Sequence, residues 1–110
     1  MALERDFQRG LIKELKERYP EGYILKNDSG YLQGFPDLTI LMPGGWWGVL
    51  EVKKDSEAPY RPNQQYHLKR TSNMSFSATI NPENKEEVLD AMEKSYKRSS
   101  RRRARVSKSV

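Results

Sequence analysis

The sequence predicts an α/β domain with the element order α-β-β-β-α-β-α, and three stretches carry that expectation. Leu3, Phe7, Leu11, Leu15 and Tyr19 recur four apart with charges between them and Ile12 beside them, the mark of an amphipathic helix over residues 2–19. Residues 37–54, "DLTILMPGGWWGVLEVKK", join two apolar runs through Pro-Gly-Gly and read as a hairpin of strands 37–42 and 46–54. In "NPENKEEVLDAMEKSY" (81–96) Asn81 suits an N-cap and Pro82 the first helical position, Glu83, Glu86 and Glu87 favour the positive end of a helix, and Val88, Leu89, Met92 and Tyr96 form its apolar face.

The remaining elements fall between these. Pro20, Glu21 and Gly22 end the first helix, and "GYILKN" (22–27) is a short β-prone run before the polar, glycine-rich link "DSGYLQGF". "DSEAPYRP" (55–62) is a proline-punctuated loop. Pro62 suits the first turn of a helix running to about Asn73, and a fourth strand is expected at residues 75–80.

At 110 residues the chain is expected to form one modest core, with no room for a cofactor domain. It has no cysteine, which excludes disulfides and thiolate metal sites and makes an intracellular, cytoplasmic location the default expectation. The N-terminus is charged from its fourth residue and shows neither a signal peptide nor a bilayer-spanning run, so a soluble protein with no membrane partner is expected. The net charge of +5 points to an anionic partner. Its distribution is uneven: Lys97, Arg98, Arg101, Arg102, Arg103, Arg105 and Lys108 follow Tyr96 with no acid among them, leaving 13 basic against 15 acidic residues over 1–96. Residues 1–96 therefore read as the folded domain, and 97–110, "KRSSRRRARVSKSV", as a basic tail of low complexity expected to be disordered when unbound.

Side chains alternate along a strand, so Trp47, Val49, Glu51 and Lys53 share one face of the third strand and Trp46, Gly48, Leu50 and Val52 the other. Glu51 and Lys53 are then roughly 6.6 Å apart along the strand. Glu51 interrupts a run that otherwise reads as buried, where an ionised carboxylate is costly unless a cation or strong donors meet it. Asp37 follows Pro36 at the head of "LTIL", also at the border of a core. Two hard oxygen ligands on adjacent strands suit Mg²⁺ or Mn²⁺. Lys53 beside them is placed to hold an attacking water or to stabilise charge on a phosphoryl group. From spacing alone, Glu51 and Lys53 serve equally as an ion pair on the exposed face of an edge strand.

"PD" at 36–37 followed by "EVK" at 51–53 resembles the PD-(D/E)XK nucleases. The nearest likeness is to small stand-alone VRR-NUC-type nucleases of phages and bacteria, related to Holliday junction resolvases. It extends over about residues 3–92 and includes the glutamate in "LERDFQ", "GFPDL", "EVK", the "RPNQ" opening of the second helix, and "NPEN". The resemblance implies a restriction-endonuclease-like αβββαβ core with a mixed sheet flanked by helices, followed by a C-terminal helix and the basic tail. It implies Asp37 and Glu51 as metal ligands with the backbone carbonyl of Val52, and Lys53 as the catalytic lysine. Glu4 would reach the site from the first helix. Gln64 matches the glutamine that follows the motif, with Gln65 offering the same side chain one position on. The implied activity is Mg²⁺-dependent, or Mn²⁺-dependent, endonucleolytic hydrolysis of DNA, often branched or flapped, leaving a 3′-hydroxyl and a 5′-phosphate, commonly by a homodimer.

Other residues carry weaker signals. Lys54, Tyr60 and Arg61 sit where phosphate contacts would be useful, or are simply solvated; Arg101, Arg102 and Arg103 belong to the non-specific phosphate contacts expected of the tail. Trp46 is expected to pack, and Trp47 to make a contact with a base or a second subunit. His67, the single histidine, is left outside the site. Two other classes fit the composition: a non-catalytic nucleic-acid-binding module on the same fold, and a structural or assembly protein whose tail binds nucleic acid.

Overall fold

The computed structural model describes residues 4–28 and 30–108, with side chains through Ser99. Seven elements follow in the order expected from the sequence: α1 (Glu4–Arg18), β1 (Tyr23–Lys26), β2 (Leu38–Leu41), β3 (Trp47–Val52), α2 (Gln64–Ser72), β4 (Phe76–Ile80) and α3 (Lys85–Lys108). The four strands form one mixed sheet in the order β1-β2-β3-β4, antiparallel except for the parallel β3–β4 pair. A parallel pair needs a crossover, and α2 supplies it.

The sheet's two faces are covered differently. Leu11 and Leu15 of α1, Tyr19 just after it, and Val88, Leu89 and Met92 of α3 pack with Leu38, Ile40, Leu50, Val52 and Ile80 in a single core. The four-residue spacing of α1 puts Leu11 and Leu15 on the stripe that faces the sheet; each such buried side chain contributes about 1.5–3 kcal/mol. On the opposite face α2 lies against β4 and β3, tied to β4 where Ser77 Oγ donates to the Leu68 carbonyl at 2.7 Å. Val49, Glu51 and Lys53 therefore face α2, and Leu50 and Val52 face the core.

The hairpin turns through Pro43, Gly44 and Gly45. Both glycines adopt positive φ, 87° and 88°, which side-chain-bearing residues rarely accept, and Met42 N–H closes the turn on the Trp46 carbonyl at 2.9 Å. Trp46 packs as expected, 6.1 Å from Phe76 and 5.8 Å from Tyr96 between ring centroids, with its indole N–H donating to Ser95 Oγ at 3.0 Å.

Two helix starts and one helix end differ from the sequence reading. Pro62 is not in the first turn of α2: Asn63 caps that helix in the left-handed region with φ 70°, and regular helix begins at Gln64. Asn81 does act as a cap, accepting from Glu83 and Asn84 N–H at 2.9 and 3.0 Å while Asn84 Oδ1 accepts from Asn81 N–H at 2.8 Å; regular hydrogen bonding starts only at Lys85. Most visibly, α3 does not stop at Tyr96. Its backbone stays helical to Lys108, through the segment expected to be disordered. The segment has no glycine or proline to break it, is rich in good helix formers, and extends a helix already nucleated against the sheet, so that elongation is cheap. Cations at the C-terminal end also favour the helix dipole.

Candidate functional site

Asp37, Glu51, Lys53 and Gln64 come together at the ends of β2 and β3, beside the first turn of α2. Asp37 immediately precedes β2, and its Oδ2 accepts the Val52 N–H at 2.8 Å. This bond fixes the aspartate against β3 past the last paired residues of the hairpin, Leu38 and Leu50. Glu51 is 1 % exposed and Lys53 is 5 % exposed. Glu51 Oε2 accepts from Gln64 Nε2 at 2.7 Å and lies 3.7 Å from Lys53 Nζ. The lysine ammonium donates to Gln64 Oε1 at 2.8 Å and to the Pro59 carbonyl at 3.0 Å. Gln64 Oε1 also accepts the Arg61 N–H at 2.6 Å, which explains how a buried glutamine at the start of α2 is held in one orientation.

Glu51 Oε1 is the exception: it is buried with no hydrogen-bond partner among the described residues. A buried carboxylate with an unsatisfied oxygen is costly. The acid responds accordingly, its pKa pushed up to about 8, first by burial and then by the charge of Asp37, with Lys53 opposing the rise and Glu4 adding to it. Two carboxylates facing each other can bond only by sharing a proton or a cation.

These residues floor a cleft of about 350 Å³ lined also by Glu4, Gln33, Gly34, Phe35 and Arg61. Glu4 is at its edge: among the described residues no three His, Cys, Asp or Glu side chains form a group that could hold a metal ion. The residues that could hold one are Asp37 and Glu51. Their hard oxygens, the orphaned Oε1 above all, fit Mg²⁺, which commonly takes one or two carboxylates and completes its shell with water and substrate oxygens. The Val52 backbone enters the site through its N–H to Asp37.

Lys54 and Arg61 border a second cleft of about 490 Å³ that shares Glu4, Lys53 and Arg61 with the first and adds Arg5. Arg101, Arg102 and Arg103 lie in the helical continuation of α3, their side chains outside the described residues. Sequence reasoning missed the Pro59 carbonyl, since a backbone acceptor leaves no signature in residue type. It also missed Arg5, whose signal was its place beside Glu4 in the first turn of α1. Gln64 and not Gln65 is the residue turned inward; Gln65 is exposed.

No protein-family model matches the chain, and no curated protein matches it.

Proposed function

We propose that the protein is a metal-dependent endonuclease of PD-(D/E)XK type that hydrolyses phosphodiester bonds in DNA, branched or flapped DNA foremost. The observation that carries this reading is the unpartnered Glu51 Oε1, buried against Asp37 and beside a lysine whose position is fixed twice over. An ordinary buried ion pair would satisfy both carboxylate oxygens; among the described residues this one leaves an oxygen without a donor in a side chain that lines the cleft.

Asp37 and Glu51 would hold a divalent cation, and Glu4 at the rim would add negative charge within reach of bound water. When bound, Mg²⁺ or Mn²⁺ supplies Lewis-acid polarisation and a more acidic water. The chain's own residues do the rest. A lysine has three donors, and Lys53 spends two on Gln64 and Pro59. The third is left for the attacking water or for a non-bridging phosphoryl oxygen, where an ammonium in a site screened from bulk water stabilises developing charge. Gln64 holds both reacting neighbours with one side chain, so it acts as a positioning residue. Arg61 is placed at the cleft edge to meet the substrate's phosphates.

The test is cleavage of an end-labelled four-way junction, a flap and a linear duplex of matched sequence, in Mg²⁺, Mn²⁺ or chelator. Wild type is expected to cut only with metal. Glu51→Gln should reduce cutting to background, and Lys53→Met should lower turnover about 10²–10³-fold with metal affinity retained. Metal-independent nucleic-acid binding without cleavage by the wild type would instead establish the binding-module reading.

A further inference from the structure

The candidate cleft shares Phe35 with a third groove, of about 440 Å³, between one side of α2, β3 and the segment that carries Leu32 and Phe35. Leu32, Phe35, Trp47, Tyr66, Arg70 and Met74 line it. Large apolar side chains stand open to solvent here: Tyr66 is 56 % exposed and Met74 62 %. Such clustering on a monomer's surface marks an interaction site. The rings are held in place: Arg70 Nη1 donates to Tyr66 Oη at 2.7 Å, its guanidinium lies 6.0 Å from the same ring, and His67 sits edge-on to both Tyr66 and Phe35.

The charge around the groove selects its occupant. Among the described residues its lining carries Arg70 and no acid, and Lys69 borders the adjoining surface together with Tyr66 and Arg70, in a body whose acids outnumber its bases. A second copy of the chain docked isologously would set this basic patch against itself. An anionic backbone with aromatic faces to stack is the complement.

We propose that this groove is a stacking platform for unpaired bases of a single strand that leaves the candidate site past Phe35. It rests on the reading of the neighbouring cleft as a phosphodiester site, and it specifies the substrate further: DNA with unpaired nucleotides beside the scissile phosphate. Tyr66 and Trp47 stack on bases, and Arg70 and Lys69 meet the phosphates between them.

The experiment is fluorescence anisotropy in chelator, which stops turnover, with a labelled oligo-dT of roughly 12 nucleotides and a hairpin duplex of equal phosphate count. Tyr66→Ala should weaken oligo-dT binding about five-fold or more and leave duplex binding unchanged. Tyr66→Phe, which keeps the ring, should bind oligo-dT like wild type. Met74→Glu, at an exposed position, should lose oligo-dT selectively. Equal losses on both probes, or no loss, would overturn the platform. So would a dimer in sedimentation that Tyr66→Ala dissociates without changing oligo-dT binding, which would assign the groove to a second copy. Metal-dependent cleavage with no Tyr66 effect would remove the platform alone; Tyr66-dependent single-strand binding by a protein that cuts nothing would remove the nuclease reading alone.

Discussion

Glu51 concentrates the energetic conflict of this fold in one side chain. Folding raises its carboxyl from 4.5 to about 8, by burial first and the Asp37 charge second. Between those values the folded chain keeps a proton that the unfolded chain has released, so stability falls as pH rises through that window. Below 4.5 both states are protonated and the penalty is absent; above about 8 both are ionised and it is complete. In chelator, the melting temperature of wild type should therefore decline from pH 4.5 to about 8, and Glu51→Gln should remove that part of the decline. Mg²⁺ should restore wild type most at the alkaline end, because it competes with the proton for the same oxygens. Parallel wild-type and Glu51→Gln curves in thermal unfolding would show that the side chain's burial carries no such cost. At this scale the sequence was informative wherever a charge broke an apolar run, as Glu51 breaks "VLEV". It said nothing of Pro59, whose contribution is a carbonyl, and it placed Gln64 only through resemblance, because two adjacent glutamines differ only in which way the helix turns them.

Elements were legible through their periods, and their junctions were not. Alternation along β3 correctly separated the core-facing Leu50 and Val52 from the site-facing Glu51 and Lys53, and a four-residue spacing gave α1 its buried stripe. The start of α2 was misplaced because Pro62 has the right φ for a first turn, yet the chain uses Asn63 in the left-handed region first. The neighbouring loop shows why. Gly34, with φ 83°, passes so close that a Cβ there would lie 2.7 Å from the Pro62 carbonyl oxygen and 2.7 Å from Asn63 C. Both partners are backbone, so neither can swing aside. The segment that delivers Asp37 to the cleft is thus seated directly on the turn that delivers Gln64. Gly34→Ala should cost about 1–3 kcal/mol in stability from backbone strain alone. It should also separate Asp37 from Gln64, lowering cleavage more than the stability loss explains. Paired denaturant unfolding and single-turnover cleavage would show this; unchanged turnover in the folded fraction would mean the two loops move together.

For the whole molecule, charge is divided by position: residues 1–96 carry all the acids and a slight negative excess, and the seven cations after Tyr96 have no acid among them. Low complexity suggested that this last segment lacks structure, but composition reports sidedness poorly. A run of Arg, Lys, Ala and Ser extends a helix as readily as it makes a coil once the preceding turns are docked. Among residues whose side chains are described, Tyr96 is the last of α3 to pack against the core, and the 24 residues of α3 span about 36 Å. Removing residues 97–110 should leave the core and the cleft chemistry intact, because no residue of either is lost. It should weaken DNA binding for all sequences and structures alike, since phosphate contacts carry no base information. If all seven cations meet phosphates, the slope of log affinity against log salt should become shallower by about six. Affinity titrations at several salt concentrations, with turnover measured at saturating DNA, separate the two effects. Loss of affinity with an unchanged slope would mean that the segment supports the fold and does not touch the nucleic acid.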